Sequence, residues 1–223
     1  MPTKTNRPPV QTRAAPNRRF PVILITIGIV VVLAVVAAVA SRGGDDDTTA
    51  TTALEETRPV AVQGVPLPTF DGGQDPAVGA TAPTLTGAGF DGTPLEIKAD
   101  GRPKVLVFLA HWCPHCQREV PVLAQWLADN GTPEGVDIYA VATGTTPDRP
   151  NYPPSAWLER EKLDVPTMAD DAAYAAAQAF GLSVYPFFVA LDGDNHVVVR
   201  ATGELTTGQW ETLIAQASAS GTA

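Results

Sequence analysis

Two cysteines, Cys113 and Cys116, are the only ones in the 223 residues, and they stand two residues apart as Cys-Pro-His-Cys. A C-x-x-C pair supports thiol–disulfide exchange, in which a thiolate attacks a disulfide sulfur. A structural disulfide is the weaker reading, because a bridge across two residues closes almost no loop and removes little entropy from the unfolded chain. His115 sits between the cysteines, where as a cation or donor it can stabilise a thiolate on Cys113; an exposed histidine at a helix start is the bland alternative. Glu119 follows Cys116 by three residues, on the same helical face. By spacing alone it reads either as a proton partner for the second thiol or as a solvated helix residue. His111 is either a surface residue or a tuning group, and His196 reads as a strand surface residue.

The chemistry needs an element to hold it. Lys104–Ala110 is a continuous apolar run of the kind expected for a strand buried on both faces. It leads into a helix expected over Cys113–Asn130, with Val120, Leu123, Ala124 and Leu127 on one stripe. Cys113 at the helix start meets unpaired backbone N–H groups and the positive end of the helix dipole, which favour a thiolate there. Cys113 is therefore expected to be the exposed nucleophile and Cys116, one turn further in, the buried resolving thiol. Pro114 suits the first turn because its missing N–H has no helical partner to lose.

Around this unit the pattern alternates. Thr84–Phe90 and Leu95–Lys98 flank Asp91-Gly92 as a hairpin, and Val136–Thr143 is a second buried strand. Helices are expected from Ser155 to about Leu163 and from Asp170/Asp171 to Phe180. Phe187–Leu191 and His196–Ala201 follow as strands joined by Gly193-Asp194-Asn195. Thr206-x-x-Gln209 is a capping box for a last helix through about Ser218. Strands alternating with helices and then a closing hairpin describe an α/β domain with a central mixed sheet flanked by helices.

Ahead of that domain, expected over residues 77–223, the composition changes. Residues 1–19 read as a disordered cytoplasmic tail and 41–76 as a flexible Gly-, Asp-, Thr- and Pro-containing linker. Between them Phe20–Ala40 carries no charge, and at about 1.5 Å per residue it spans roughly the 30 Å of a bilayer core. Basic residues precede it and Asp45–Asp47 follow it, so a membrane anchor here leaves the N-terminus cytoplasmic and the domain outside. A signal peptide cleaved near Ala40 competes, although its apolar core would run only about 7–15 residues. Residues 1–44 hold six basic and no acidic residues, whereas the rest carries nine basic against 24 acidic. An acidic body is a poor nucleic-acid partner.

The stretch Val78–Pro83, Gly92–Leu95, Val105–Ala110, Trp112-Cys113-Pro114-His115-Cys116 and Glu119-Val120-Pro121 resembles the TlpA/ResA-like branch of the thioredoxin fold. The resemblance covers about residues 78–220. It implies a thioredoxin-like fold behind one N-terminal transmembrane helix, and a membrane-tethered, extracytoplasmic thiol–disulfide oxidoreductase. The partners it implies are cysteine-containing extracytoplasmic proteins and a membrane redox partner that recycles the disulfide. No cofactor beyond the Cys113–Cys116 disulfide is implied. By the same resemblance Glu119 is the acid behind the second cysteine and Trp112 shields the active face. Pro186, after Tyr185, is the fold's cis-proline, and the two help bind the substrate chain. Two departures stand out. Val107 occupies the place of the buried aspartate of cytoplasmic thioredoxins. The Pro-His dipeptide is that of the oxidase DsbA, which tilts the expectation toward disulfide formation over a reductase that keeps thiols reduced, for example in cytochrome c maturation. A haem site would need histidine where Gln117 stands. A metal-delivery module could recruit His111, Cys113, His115 and Cys116, but crowding them onto one turn makes four-coordinate geometry difficult.

Overall fold

The computed structural model describes residues 55–220. The elements are β1 (Ala61–Gln63), β2 (Thr84–Ala88), β3 (Pro94–Ile97), β4 (Lys104–Leu109), α1 (Pro114–Asn130), β5 (Asp137–Ala142), α2 (Pro154–Arg160), β6 (Thr167–Ala169), α3 (Ala175–Ala179), β7 (Phe187–Leu191), β8 (Val197–Thr202) and α4 (Thr207–Ala219). Five strands form the central sheet in the order β6-β5-β4-β7-β8. β4, β5 and β6 run parallel, while β7 is antiparallel to both β4 and β8, so the sheet is mixed as expected.

β4 is buried along its whole length because both its faces are covered. Alternate residues point to opposite sides of a strand. Val105, Val107 and Leu109 pack with Cys116, Val120 and Leu123 of α1 and with Trp210 and Leu213 of α4. Leu106 and Phe108 pack the other way, with Phe180, Phe187, Leu85 and Ile97. Even Lys104 is fully covered; its ammonium donates to the Asp100 carboxylate and to the Arg102 carbonyl at 2.6 Å. A period-two strand in a helix–sheet–helix sandwich thus divides the core into two layers.

The expected hairpin is β2–β3, turned by Asp91, whose carboxylate accepts from the Thr93 N–H (2.9 Å) and hydroxyl (2.8 Å). The capping box at α4 is complete: Gln209 N–H donates to Thr206 Oγ1 (3.3 Å) and Thr206 N–H to Gln209 Oε1 (2.9 Å). The helix expected from Asp170/Asp171 is shorter, since α3 begins only at Ala175. The Asp170 carboxylate accepts from the N–H groups of Asp171, Ala176 and Ala177, and Asp171 accepts from Ala173 and Ala175. The acid pair therefore caps the turn instead of entering it. β6, three residues long, lacks any pattern of its own and exists through its parallel pairing with β5.

One expectation is corrected over half its length. Of the supposed flexible linker 41–76, residues 55–76 are built into the fold. β1 adds antiparallel to β2, and Leu67 and Phe70 are buried. Leu67 N–H donates to Ala179 O (2.8 Å) and Phe70 N–H to Gly181 O (2.9 Å). The Arg200 guanidinium grips the segment, donating to Pro68 O (2.8 Å) and to both Asp75 oxygens (2.9 and 2.5 Å), and lies 5.1 Å from the Phe70 ring centroid. Gly181 (φ +71°) permits the close approach, because a Cβ there would lie 2.3 Å from Pro68 O. Glu56 accepts from the Ser155 N–H (3.0 Å) and hydroxyl (2.6 Å) at the start of α2. These are contacts with distant residues, which hydrophobic periodicity within the segment does not record.

The expected tail at 1–19, the expected anchor at Phe20–Ala40 and residues 41–54 lie outside the described residues. Among the described residues no helix is long and apolar enough to cross a membrane.

Candidate active site

β4 delivers the chain to the motif. After Leu109, the Cys113 N–H turns back onto Ala110 O (3.0 Å), and Cys113 becomes the N-cap of α1, with extended backbone angles. Its carbonyl accepts the Gln117 N–H (3.0 Å), the first bond of the helix. α1 thus starts one residue later than expected, with Pro114 in its first turn. Both cysteines are free thiols. Cys113 is 6% exposed and Cys116 0%. The expected order of access holds, but Cys113 is a recessed thiol at the rim and not the exposed one anticipated. Burial pushes the Cys116 thiol far up; a backbone hydrogen bond with Ala110 opposes this, and charge on Cys113 and Glu119 adds to it.

Glu119 is buried on the face of α1 that carries Cys116. Its Oε2 accepts the Leu205 N–H at 2.9 Å. Burial pushes its carboxyl up to about 7, against the Leu205 hydrogen bond and with the help of the Glu204 charge. A carboxyl balanced near neutrality beside a thiol far above it can take and return the thiol's proton. Val107, 1% exposed in the same core layer as both cysteines, contributes no acid from the strand side.

His115 is turned outward. Its Nδ1 lies 2.6 Å from Glu204 Oε1 and 2.9 Å from Arg118 Nη2. Arg118 Nε is 3.0 and 3.1 Å from the two Glu204 oxygens. Arg118 first and His115 second hold the Glu204 carboxyl down at about 2. The Arg118 guanidinium is raised chiefly by its hydrogen bond to Glu204, with charge on Glu204 and, least, on Cys113 adding to the rise.

On the opposite wall, the Tyr185–Pro186 bond is cis, as the resemblance implied. Tyr185 O lies 3.9 Å from Cys113 Sγ. The Trp112 ring meets Tyr185 edge to face at 5.8 Å, and its Nε1–H donates to Gly144 O (2.8 Å). Gly144 (φ +65°) sits so tightly that a Cβ would fall 2.9 Å from the Tyr185 hydroxyl. Burial pushes that hydroxyl up to about 12.

His111 is corrected from a possible surface residue to a buried staple, 1% exposed. Nδ1 faces Pro150 O (2.7 Å) and Nε2 faces the Thr146 N–H (3.3 Å). A carbonyl only accepts and an amide only donates, so these partners assign the proton to Nδ1 and occupy both nitrogens. His111 thereby hangs loop 144–153 beside the site and is not available as a metal ligand. Among the described residues no group of three or more His, Cys, Asp or Glu side chains could hold a metal ion. His196 pairs with Asp192 (3.1 Å) in the β7–β8 turn and takes no part.

The structure brings Trp112, Cys113, Cys116, Glu119, Tyr185 and Pro186 together, with His115 at the rim. Three features escaped sequence reasoning: Arg118, Glu204, and Arg149, whose guanidinium stands 5.4 Å from the Trp112 ring centroid. Arg118 follows His115 by three residues, so helical spacing could have flagged it. Glu204 lies 86 residues from Arg118, with no local signal.

Among known proteins, the soluble secreted antigen MPT53 of Mycobacterium tuberculosis is 50% identical over 50 residues, 22% of this chain and 27% of that protein. The methylamine utilization protein MauD of Paracoccus denitrificans is 27% identical over 135 residues, 59% of this chain and 61% of that protein. The chain therefore spans about a quarter of the one relative and three-fifths of the other. The crystal structure of StoA from Bacillus subtilis aligns with a TM-score of 0.51 at 19% identity, covering 62% of this chain and 98% of that one. A thiol:disulfide interchange protein of the thioredoxin family from Chlorobium tepidum aligns with a TM-score of 0.51 at 21% identity, covering 61% and 94%. These likenesses establish a thioredoxin-like fold. The Redoxin family model matches residues 77–216, more than half of the chain, and with its C-x-x-C at the strand-to-helix turn the chain belongs to the Redoxin family.

Proposed function

We propose that this chain is a thioredoxin-like thiol–disulfide oxidoreductase that exchanges disulfides with cysteine-containing proteins through Cys113 and Cys116. The observation that carries this reading is the graded access of the pair: Cys113 reaches the surface at 6%, and Cys116 lies sealed behind it at 0% beside buried Glu119. In the oxidising direction a substrate thiolate attacks the Cys113 sulfur of the disulfide. The Cys113–Cys116 bond breaks, and Cys116 leaves as a thiolate that takes a proton from Glu119. A second substrate thiolate then attacks the substrate sulfur of the mixed disulfide and releases the Cys113 thiolate. In the reducing direction the Cys113 thiolate attacks a substrate disulfide, and Cys116, its proton passed to Glu119, displaces the product. Trp112, Tyr185 and Pro186 form the wall against which the substrate chain lies.

The preferred direction is disulfide formation. The Pro114-His115 dipeptide, the one found in an oxidase, supports it, because a stabilised thiolate stabilises the reduced form. The charge pattern around Phe20–Ala40 supports a single-pass anchor with the domain outside the cytoplasm, acting on extracytoplasmic proteins and recycled by a membrane redox partner. No cofactor beyond the disulfide is needed for either direction.

Cys113→Ser should abolish exchange with a disulfide substrate, and Cys116→Ser should accumulate mixed disulfides on Cys113, visible by non-reducing electrophoresis and mass spectrometry. Full exchange activity in Cys113→Ser would overturn the reading. Direction follows from the reduction potential: a value near roughly −120 mV marks an oxidase and one near roughly −270 mV a reductase.

A further inference from the structure

Three consecutive residues between β8 and α4 touch three different parts of the site. Gly203 N–H donates to Pro186 O (2.9 Å), the Glu204 carboxylate receives Arg118 and faces His115, and Leu205 N–H donates to Glu119 Oε2 (2.9 Å). The backbone is thus pinned on both sides of Glu204, which fixes where its carboxylate stands.

We propose that Glu204 is a positioning residue that sets the redox balance of the Cys113–Cys116 pair by holding Arg118 and His115 on itself and away from the Cys113 sulfur. This inference rests on the exchange reading above. Both residues lie in the first two turns of α1, within reach of the helix start that carries Cys113. Arg118 places Nε and Nη2 on the Glu204 carboxylate, at 3.0 and 2.5 Å from Oε1, and His115 Nδ1 stands 2.6 Å from the same oxygen. Among the other ionisable groups, Glu119 from α1 feels the Glu204 charge and brings no cation. With Glu204 in place, the positive charge near Cys113 is largely cancelled. Without it, a thiolate on Cys113 is the other anion whose charge acts on Arg118.

Only the reduced form responds to that change, because the disulfide carries no charge. Reduction of the disulfide takes two electrons and one proton and yields the Cys113 thiolate and the Cys116 thiol. In a glutathione buffer two molecules of glutathione supply the electrons and become glutathione disulfide. They release two protons, of which Cys116 keeps one. Removing Glu204 favours this product side, so the protein becomes a stronger oxidant. Glu204 therefore restrains the oxidising power that Pro-His and Arg118 would otherwise confer.

The test is equilibration of the full chain with glutathione buffers at low ionic strength, combined with titration of the Cys113 thiolate by absorbance at 240 nm. Glu204→Gln should shift the equilibrium about tenfold toward the dithiol, about 30 mV for a two-electron couple, and move the thiolate titration to lower pH. Glu204→Asp should return it to within about twofold of wild type, and Arg118→Gln should shift it the opposite way. In a His115→Ala, Arg118→Gln background, Glu204→Gln should give a clearly smaller shift, limited to loss of its own repulsion on the thiolate. A Glu204→Gln equilibrium within about twofold of wild type, or an equal shift in the double-variant background, would overturn the proposal. A wild-type chain that never equilibrates with glutathione would instead sink the exchange reading itself.

Discussion

Two carboxylates with largely covered side chains, Asp75 (side chain 7% exposed) and the more deeply buried Glu119, end in opposite states. Burial alone would push both up. At Asp75 the hydrogen bond from Arg200, the Ala77 N–H and the Arg200 charge outweigh burial and hold the carboxyl below its usual range. Glu119 has one backbone N–H, from Leu205, and burial prevails, leaving it at about 7. A guanidinium outweighs burial at Asp75, and a single backbone N–H does not outweigh the deeper burial of Glu119. Asp75 serves as a permanent anion in a latch that ties residues 55–76 to the domain. Glu119 is left undercompensated, which is what a group needs if it is to gain and lose a proton near neutral pH.

The signs of the two linkages differ accordingly. Asp75, lowered on folding, stabilises the fold above its unfolded value of 3.8, and that stability is lost as the pH falls through its folded value. Glu119, raised on folding, imposes no cost below 4.5; the cost grows as the pH rises from there through about 7 and is constant above.

The largest expected effect breaks the latch. Arg200→Met leaves Asp75 buried without its cation, which should cost about 3–5 kcal/mol and lower the urea midpoint markedly, while exchange per folded molecule is kept. A loss under about 1 kcal/mol would mean the pair is not what holds the segment. Next, Glu119→Gln should slow thiol–disulfide exchange by about 100-fold while raising stability above pH 7 and flattening its decline between 4.5 and about 7. Urea titrations at pH 5 and pH 8, beside exchange rates, would show both; unchanged rates would remove Glu119 from the chemistry. The smallest effect concerns what holds Leu205 in place. Thr206→Ala removes the capping box next to it and should cost about 1 kcal/mol in urea midpoint, with exchange changed less than about twofold. A larger fall in exchange would show that the Leu205 N–H must be held rigidly to keep Glu119 poised.

The same contrast separates what was legible in the sequence from what was not. The strand-to-helix placement of Cys113 and Cys116, the hairpin at Asp91-Gly92 and the Thr206–Gln209 box are local patterns, and each appears in the structure where its residues placed it. Pro186 became readable as cis only through the family resemblance. The latch, by contrast, joins Asp75 to Arg200 across 125 residues, and Glu204 meets Arg118 across 86. Neither a Pro-rich run without periodicity nor a lone glutamate after a strand announces a partner so far away. His111, left open by its sequence between a surface and a tuning role, is settled as buried in the same way: its partners, Thr146 and Pro150, belong to a loop whose path no local pattern gives. Tertiary contacts fixed all three.

The sealed position of Cys116 also bears on chemical wear. A hydroperoxide that reached the reduced pair would meet the Cys113 thiolate, which breaks the O–O bond, keeps one oxygen as a sulfenic acid and releases the rest as an alcohol or water. Cys116, with no exposed surface, is out of the oxidant's reach yet only one helical turn away. Its thiol condenses with the sulfenic acid, a sulfur–sulfur bond forms and water departs. The irreversible sulfinic and sulfonic acids lie further up the same ladder, and this condensation competes with them at each encounter. Wherever the condensation wins, damage ends in the disulfide itself, so the burial that suits Cys116 to resolve mixed disulfides would also protect the pair.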